Sequence, residues 1–248
     1  MKTAGRVRVV ERRGWRELRV DGTFASRFRP GDAATGSVWD ALALPVLALP
    51  AARRRRVLIL GLGGGSAARL VRALAPRAAI VGVELDAGVL RAAREHFGLD
   101  ALGVEAVLAD ARAYLEGVRS RFDLVIDDVF VGRGLRVRKP DWLPEPGLGL
   151  AARRLAPGGL LVANTLDDYP AAARALQRRF PAAVRIRIAG YDNRILVGGA
   201  AGLDARALRA AVAAEPLLAA TLPKLGFLTL REGREIRGRP RPGPRPAG

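Results

Sequence analysis

Apolar and polar positions change rhythm along this chain. Over residues 5–28 they alternate with a period of two: Val7 and Val9 stand against Arg6 and Arg8, then Trp15, Leu18 and Val20 are set among Arg16 and Arg19. Gly14 and the pair Asp21-Gly22 punctuate the run. Asp-Gly is a strong hairpin signal, so a small antiparallel β unit is expected first. Between 35 and 49 the apolar residues Val38, Leu42, Leu44, Val46 and Leu49 predict a helix. Short runs rich in apolar and β-branched residues follow at 57–62, 79–84, 104–109, 122–127 and 159–164 and predict buried strands. Helical patterns fall between them at 66–74, 86–97, 111–117, 147–155 and 168–179. Such alternation predicts a parallel sheet with helices on both faces. Two more extended runs, 184–188 and 194–197, are joined through Gly190-Tyr191-Asp192-Asn193 and predict an antiparallel hairpin closing the sheet edge. A last amphipathic helix is expected at 204–214. The organisation is thus a β appendage over 1–34, an α/β domain over 35–230, and a tail over 231–248 of Arg, Gly and Pro, expected to be disordered.

The first buried run breaks into glycine: Val57-Leu58-Ile59-Leu60-Gly61-Leu62-Gly63-Gly64-Gly65-Ser66. A strand, a glycine turn and a helix N-terminus form the first βα unit of a nucleotide-binding half. A dinucleotide fingerprint needs glycine where Ser66 stands, so the pattern Gly61-x-Gly63-x-Gly65 suits an adenosyl-sulfonium cofactor better than NAD. Acids close the next three strands. Glu84 lies where a carboxylate accepts ribose hydroxyls, Asp110 with Ala111 where a carboxylate and an N–H meet an adenine edge, and Asp127-Asp128 close the fourth strand. Taken singly, each acid also reads as a helix cap or a solvated turn.

Composition narrows the classes. The 248 residues suffice for one sizeable α/β domain with a small appendage. No apolar run reaches the roughly 18–20 residues of a membrane span, and the N-terminus opens on charged alternation, which predicts a cytoplasmic protein. There is no cysteine and one histidine, His96, so neither thiolate chemistry nor a histidine-built metal site is expected. The formal charge is +18, with 42 basic residues of which only Lys2, Lys139 and Lys224 are lysine. Attraction to polyanions is therefore physically available. Aromatic residues make up 5%, and no interleaving of aromatic and basic residues of the base-stacking kind is visible, so nucleic acid is not the favoured partner.

Across roughly residues 5–200 the sequence resembles the spermidine synthase-like group of class I S-adenosylmethionine-binding transferases. The carriers are the glycine segment, Val83-Glu84-Leu85-Asp86, Ala109-Asp110-Ala111, Phe122-Asp123-Leu124-Val125-Ile126-Asp127 and Leu155-Ala156-Pro157-Gly158-Gly159. The resemblance implies a Rossmann-like class I methyltransferase fold, with a mostly parallel seven-stranded sheet behind an N-terminal antiparallel β appendage. It also implies S-adenosylmethionine or its decarboxylated form as cofactor, and a homodimer associating through the appendage. It puts Glu84 on the ribose, Asp110 with Ala111 on the adenine, and Asp127 at the family's proton-accepting acid, with Asp128 second. It departs from polyamine synthases at Phe130, where they hold the diamine with an acid, and at Ser37, where they carry a tyrosine. Arg133, Arg136, Arg138 and Lys139, in the loop expected over the acceptor, also oppose a dication. The reading is a transferase moving a methyl group to a small-molecule acceptor that is not a diamine. Two alternatives stay open: an aminopropyltransferase with an unusual acceptor, in which Asp192 or Asp128 replaces the lost acid, and a non-catalytic cofactor-fold protein that binds polyanions.

Overall fold

The computed structural model describes residues 6–231; the arginine-rich tail after 231 lies outside them. The chain opens with a three-stranded antiparallel sheet, β1 (Val7–Arg12), β2 (Trp15–Val20) and β3 (Thr23–Phe28). Both of its turns have two residues at positive φ, Arg13-Gly14 at 51° and 76° and Asp21-Gly22 at 49° and 81°. That geometry matches the right-handed strand twist. The period-two pattern buries Leu18, with Val7, Val9, Val20, Ala25 and Phe28, against Val89, Ala92 and Phe97 of a later helix.

Next comes α1 (Val38–Ala43), which passes directly into a 3-10 segment, Leu44–Ala48. The helix expected over 35–49 is shorter for two reasons. Pro45 has no N–H with which to continue the α ladder. Upstream, Asp40 accepts from Thr35 N–H, the Thr35 hydroxyl and Gly36 N–H and so holds residues 35–36 in a turn.

The main sheet has strands β4 (Arg56–Leu60), β5 (Ala79–Glu84), β6 (Val104–Leu108), β7 (Phe122–Asp127), β8 (Leu155–Thr165), β9 (Ala182–Ile188), β10 (Arg194–Gly199) and β11 (Leu225–Leu230). Their spatial order is β11-β9-β10-β8-β7-β4-β5-β6. The block from β8 to β6 is parallel and the rest antiparallel. Among the described residues this sheet has eight strands where seven were expected. The β9–β10 hairpin is not the sheet edge, because β11 covers β9; its sequence, Leu225-Gly226-Phe227-Leu228-Thr229-Leu230, carries a glycine that weakens the strand signal. Helices α2 (Ser66–Leu74), α3 (Ala87–Phe97) and α7 (Ala205–Ala213) join α1 in packing on one face. The other face carries α4 (Ala111–Gly117), α5 (Gly147–Ala152) and α6 (Tyr169–Arg179). Among the described residues no helix is long and apolar enough to cross a membrane.

From β4 the chain steps to β5 and β6, then returns to place β7 on the other side of β4. The strand order reverses there, and open α/β sheets bind ligands just beyond the strand ends at such a point.

Candidate active site

Gly61, Gly63 and Gly65 have φ of 80°, 56° and 83°, values that side chains other than glycine's rarely adopt. The tight approach they permit is to the protein's own backbone. A Cβ on Gly61 would lie 2.6 Å from the Asp128 carbonyl oxygen, and one on Gly63 would lie 2.9 Å from Ser26 Oγ and 3.0 Å from the Ala25 carbonyl of β3. Every N–H of the turn has an internal acceptor. Gly61 and Leu62 donate to the Val83 carbonyl, Gly63 to Glu84 Oε2, Gly64 to Ser26 Oγ and Gly65 to the Leu62 carbonyl. The turn therefore offers no row of free N–H groups to a pyrophosphate.

Glu84 ends β5 with its carboxylate on three backbone N–H groups: Gly63 on Oε2 at 2.9 Å, and Leu85 and Asp86 on Oε1 at 2.8 and 3.1 Å. Burial pushes its pKa up and the three donors oppose this. A carboxylate has about four acceptor positions, so Glu84 keeps one for a hydroxyl beside the turn. Asp110 caps α4 through Oδ1, which accepts from Arg112 and Ala113 N–H at 2.9 and 3.1 Å; Ala111 is buried behind it. Leu85, next to Glu84, is 50% exposed, and Leu108 at the end of β6 is 55% exposed. These two uncovered leucines near the acids were not singled out from the sequence.

The two adjacent acids part company. Leu124 and Ile126 pack into the layer of α1 and α2, whereas Val125 packs into that of α4 to α6. By that alternation Asp127 follows Val125 and Asp128 follows Ile126. Asp127 is 1% exposed and pairs with the buried Lys139 at 2.8 Å, while its Oδ1 accepts from Val129 N–H. Burial raises its pKa against the pull of Lys139. The Lys139 ammonium also donates to the Val129 carbonyl and lies 4.3 Å from the centre of the Phe130 ring. Asp127 thus anchors the loop that follows β7. Asp128 is only half-buried, lies beside Trp39 of α1, and accepts from Asn164 Nδ2 of β8 at 2.7 Å. Asn164 in turn accepts from Asn193 of the β9–β10 turn at 2.8 Å. Burial lifts the Asp128 pKa to about 7 despite the Asn164 donor.

The β9–β10 turn also delivers Tyr191, whose hydroxyl lies beside Ser37 and whose pKa burial holds above the ordinary range. A phenol therefore reaches Ser37, the position at which the resemblance expected a tyrosine. Asp192 is exposed. The loop cations are not a bare positive wall. Lys139 pairs with Asp127, Arg138 with Asp141 at 2.6 Å, and Arg133 with Asp21 of the N-terminal sheet at 3.3 Å. The charge argument against a dication is correspondingly weaker. Trp142 packs on Gly147 at the base of the loop. The N-terminal sheet joins the site through β3, since Ser66 Oγ accepts from Arg27 N–H at 2.9 Å and donates to the Arg27 carbonyl at 2.8 Å. The glycines and acids named from the sequence lie together at and beyond the ends of β4 to β7. Sequence reasoning missed Asn164, Asn193 and the partner of Asp127, all brought in from distant segments.

Residues 57–159 match the family model described as Methyltransferase domain. A polyamine aminopropyltransferase of Mycobacterium tuberculosis is 38% identical over 133 residues, covering 46% of this chain and 23% of that protein. A 4-amino-L-phenylalanine/4-methylamino-L-phenylalanine methyltransferase of Streptomyces pristinaespiralis is 32% identical over 138 residues, covering 47% of each. The match thus spans about a quarter to half of the length of these curated relatives. Among solved structures, that of a probable spermidine synthase from Corynebacterium glutamicum superposes with a TM-score of 0.71 at 22% identity, over 90% of this chain and 86% of that one.

Proposed function

We propose that this chain, which has the spermidine synthase-like class I methyltransferase fold, is a transferase using S-adenosylmethionine or its decarboxylated form, and that it moves a methyl group to an amine that is not a diamine. The observation that carries the reading is the occupied glycine turn. With each N–H from Gly61 to Gly65 already bonded, the turn itself has none left for a pyrophosphate, which supports an adenosine without phosphates. Glu84 would hold the ribose, and Asp110 with Ala111 would meet the adenine edge, beside the exposed Leu85.

A sulfonium supplies an electrophilic carbon and a neutral thioether leaving group. The protein's part is alignment and proton removal. Asp128, at the strand-order reversal and with a pKa of about 7, takes the proton released as the nitrogen–carbon bond forms. Asn164 holds its carboxylate, and Asn193 holds Asn164. Asp127 acts through Lys139 by fixing the loop. The sequence order of these two acids, Asp127 first and Asp128 second, is therefore reversed in the proposal. Association of two copies through the N-terminal sheet belongs to the same reading, to be checked by light scattering.

Calorimetry with S-adenosylmethionine and with its decarboxylated form tests the proposal. S-adenosylmethionine should bind at least as well, and Glu84→Ala should weaken it by about 1–3 kcal/mol, the scale of a lost charge-assisted hydrogen bond. Unchanged affinity in Glu84→Ala would remove the ribose assignment. Strong preference for the decarboxylated ligand would favour aminopropyl transfer. That second reading is supported by the ion pairs that neutralise Lys139, Arg138 and Arg133.

A further inference from the structure

Arg27 stands on β3 opposite Glu17 of β2, on the same sheet face as Phe24. Phe24 meets the Trp39 ring edge-on at 4.9 Å, and Trp39 lies beside Asp128. The charge of Arg27 is felt by the Tyr191 hydroxyl, which itself lies beside Ser37. Arg27 therefore lies on the wall facing the β9–β10 turn, on the acceptor side of the site.

Its neighbours are neutralised. Arg16 pairs with Glu11, Arg19 with Glu17 and Arg29 with Asp32. No carboxylate pairs with Arg27 among the described residues. Its guanidinium lies 4.2 Å from the centre of the Trp15 ring, with Arg29 at 4.5 Å from the same ring. Stacking occupies the flat face of a guanidinium and leaves its in-plane N–H groups free. One of them, Nε, is buried without a hydrogen-bond acceptor. That buried Nε is out of a ligand's reach, but the Nη edge of this cation, fixed in orientation and unpaired, offers two parallel N–H groups to a carboxylate.

We infer that the acceptor amine also carries a carboxylate, as an amino acid does, and that Arg27 binds that carboxylate while the reacting nitrogen faces Asp128. This rests on the transferase reading and adds the class of acceptor to it. Arg27 is a specificity determinant under this inference, since it touches the part of the acceptor that does not react.

The test uses matched pairs that differ by one carboxylate: ornithine against putrescine, and 4-aminophenylalanine against 4-aminophenethylamine. Binding of each is measured by ligand-observed NMR to the full chain and to Arg27→Met, Arg27→Gln and Arg27→Lys, with melting temperatures to verify folding. In at least one pair the carboxylated member should bind at least tenfold tighter to the unaltered chain. Arg27→Met and Arg27→Gln should lose that preference, Arg27→Lys should keep part of it, and S-adenosylmethionine affinity should stay within about twofold throughout. No preference in either pair, or a preference that survives in Arg27→Met and Arg27→Gln, overturns the inference. The transferase reading fails separately, by absence of calorimetric binding of either adenosyl ligand; an Arg27-dependent preference for the carboxylated member would then stand on its own.

Discussion

A carboxyl group with a pKa of about 7, as at Asp128, is half-ionised near neutrality, so rate and stability should move in opposite directions as pH rises. A base must be ionised to accept a proton, hence kcat/KM should climb through about pH 7 and level off above it. Asp128→Asn should erase that inflection and lower kcat by about 10²-fold or more. For stability the sign is reversed. The folded pKa lies above the ordinary value of 3.8, so between about pH 4 and 7 the folded chain holds a proton that the unfolded chain has released, and stability falls across that window. Asp128→Asn should therefore melt higher than the unaltered chain at pH 8 and close to it at pH 4, measured by differential scanning calorimetry. The position of the two acids at the end of a strand was legible in the sequence, whereas their separate roles were not. Successive side chains of a strand point to opposite faces, which sends Asp127 and Asp128 apart once β7 forms. What the sequence does not carry is that Lys139, twelve positions on and beyond a loop, lies over Asp127, or that Asn164 reaches Asp128 from β8.

Two connections hold the elements around the site. The first ties the loop after β7 to the strand through the buried Asp127–Lys139 pair. Removing one partner strands a buried charge, so Lys139→Met should destabilise by about 3–5 kcal/mol, and the double change Asp127→Asn with Lys139→Met should recover much of the loss. Urea titration of the unaltered chain and the two variants measures this. The second ties β3 to the glycine turn through Ser66, which gives and accepts a bond with Arg27. Ser66→Ala should cost about 1–2 kcal/mol and should also lower affinity for the adenosyl ligand, because the turn that holds Glu84 is braced from that side. Equal ligand affinity in that variant would separate the brace from the site. Most elements followed directly from the residues: β5, β7, α2 and α4 fall at the expected positions, where unbroken apolar runs and Gly or Pro boundaries leave few options. The shortening of α1 and the added β11 did not, because one depends on what Asp40 binds and the other on an available edge at β9.

At the scale of the whole chain the excess of arginine is distributed work. Many arginines stack on rings or bond carbonyls: Arg72 donates to the carbonyls of Leu102, Pro76, Ala78 and Gly103, and Arg54 to those of Leu49, Leu74 and Leu47. The charge remains all the same, and retention on duplex DNA should drop steeply between about 50 and 200 mM salt. That retention should be insensitive to Glu84→Ala, which separates surface attraction from the site. Basic and aromatic residues do interleave once folded, Arg27 and Arg29 about Trp15 and Arg16 and Arg69 about Phe28, an arrangement that strand pairing creates and linear order conceals. Lysine, by contrast, is scarce, and this gives the Asp127–Lys139 pair a practical consequence. Lys139 is 7% exposed whereas Lys224 lies open. Acetic anhydride should therefore tag Lys224 readily and reach Lys139 only when the loop lifts, so the mass of a single peptide would record how often the lid over β7 comes undone.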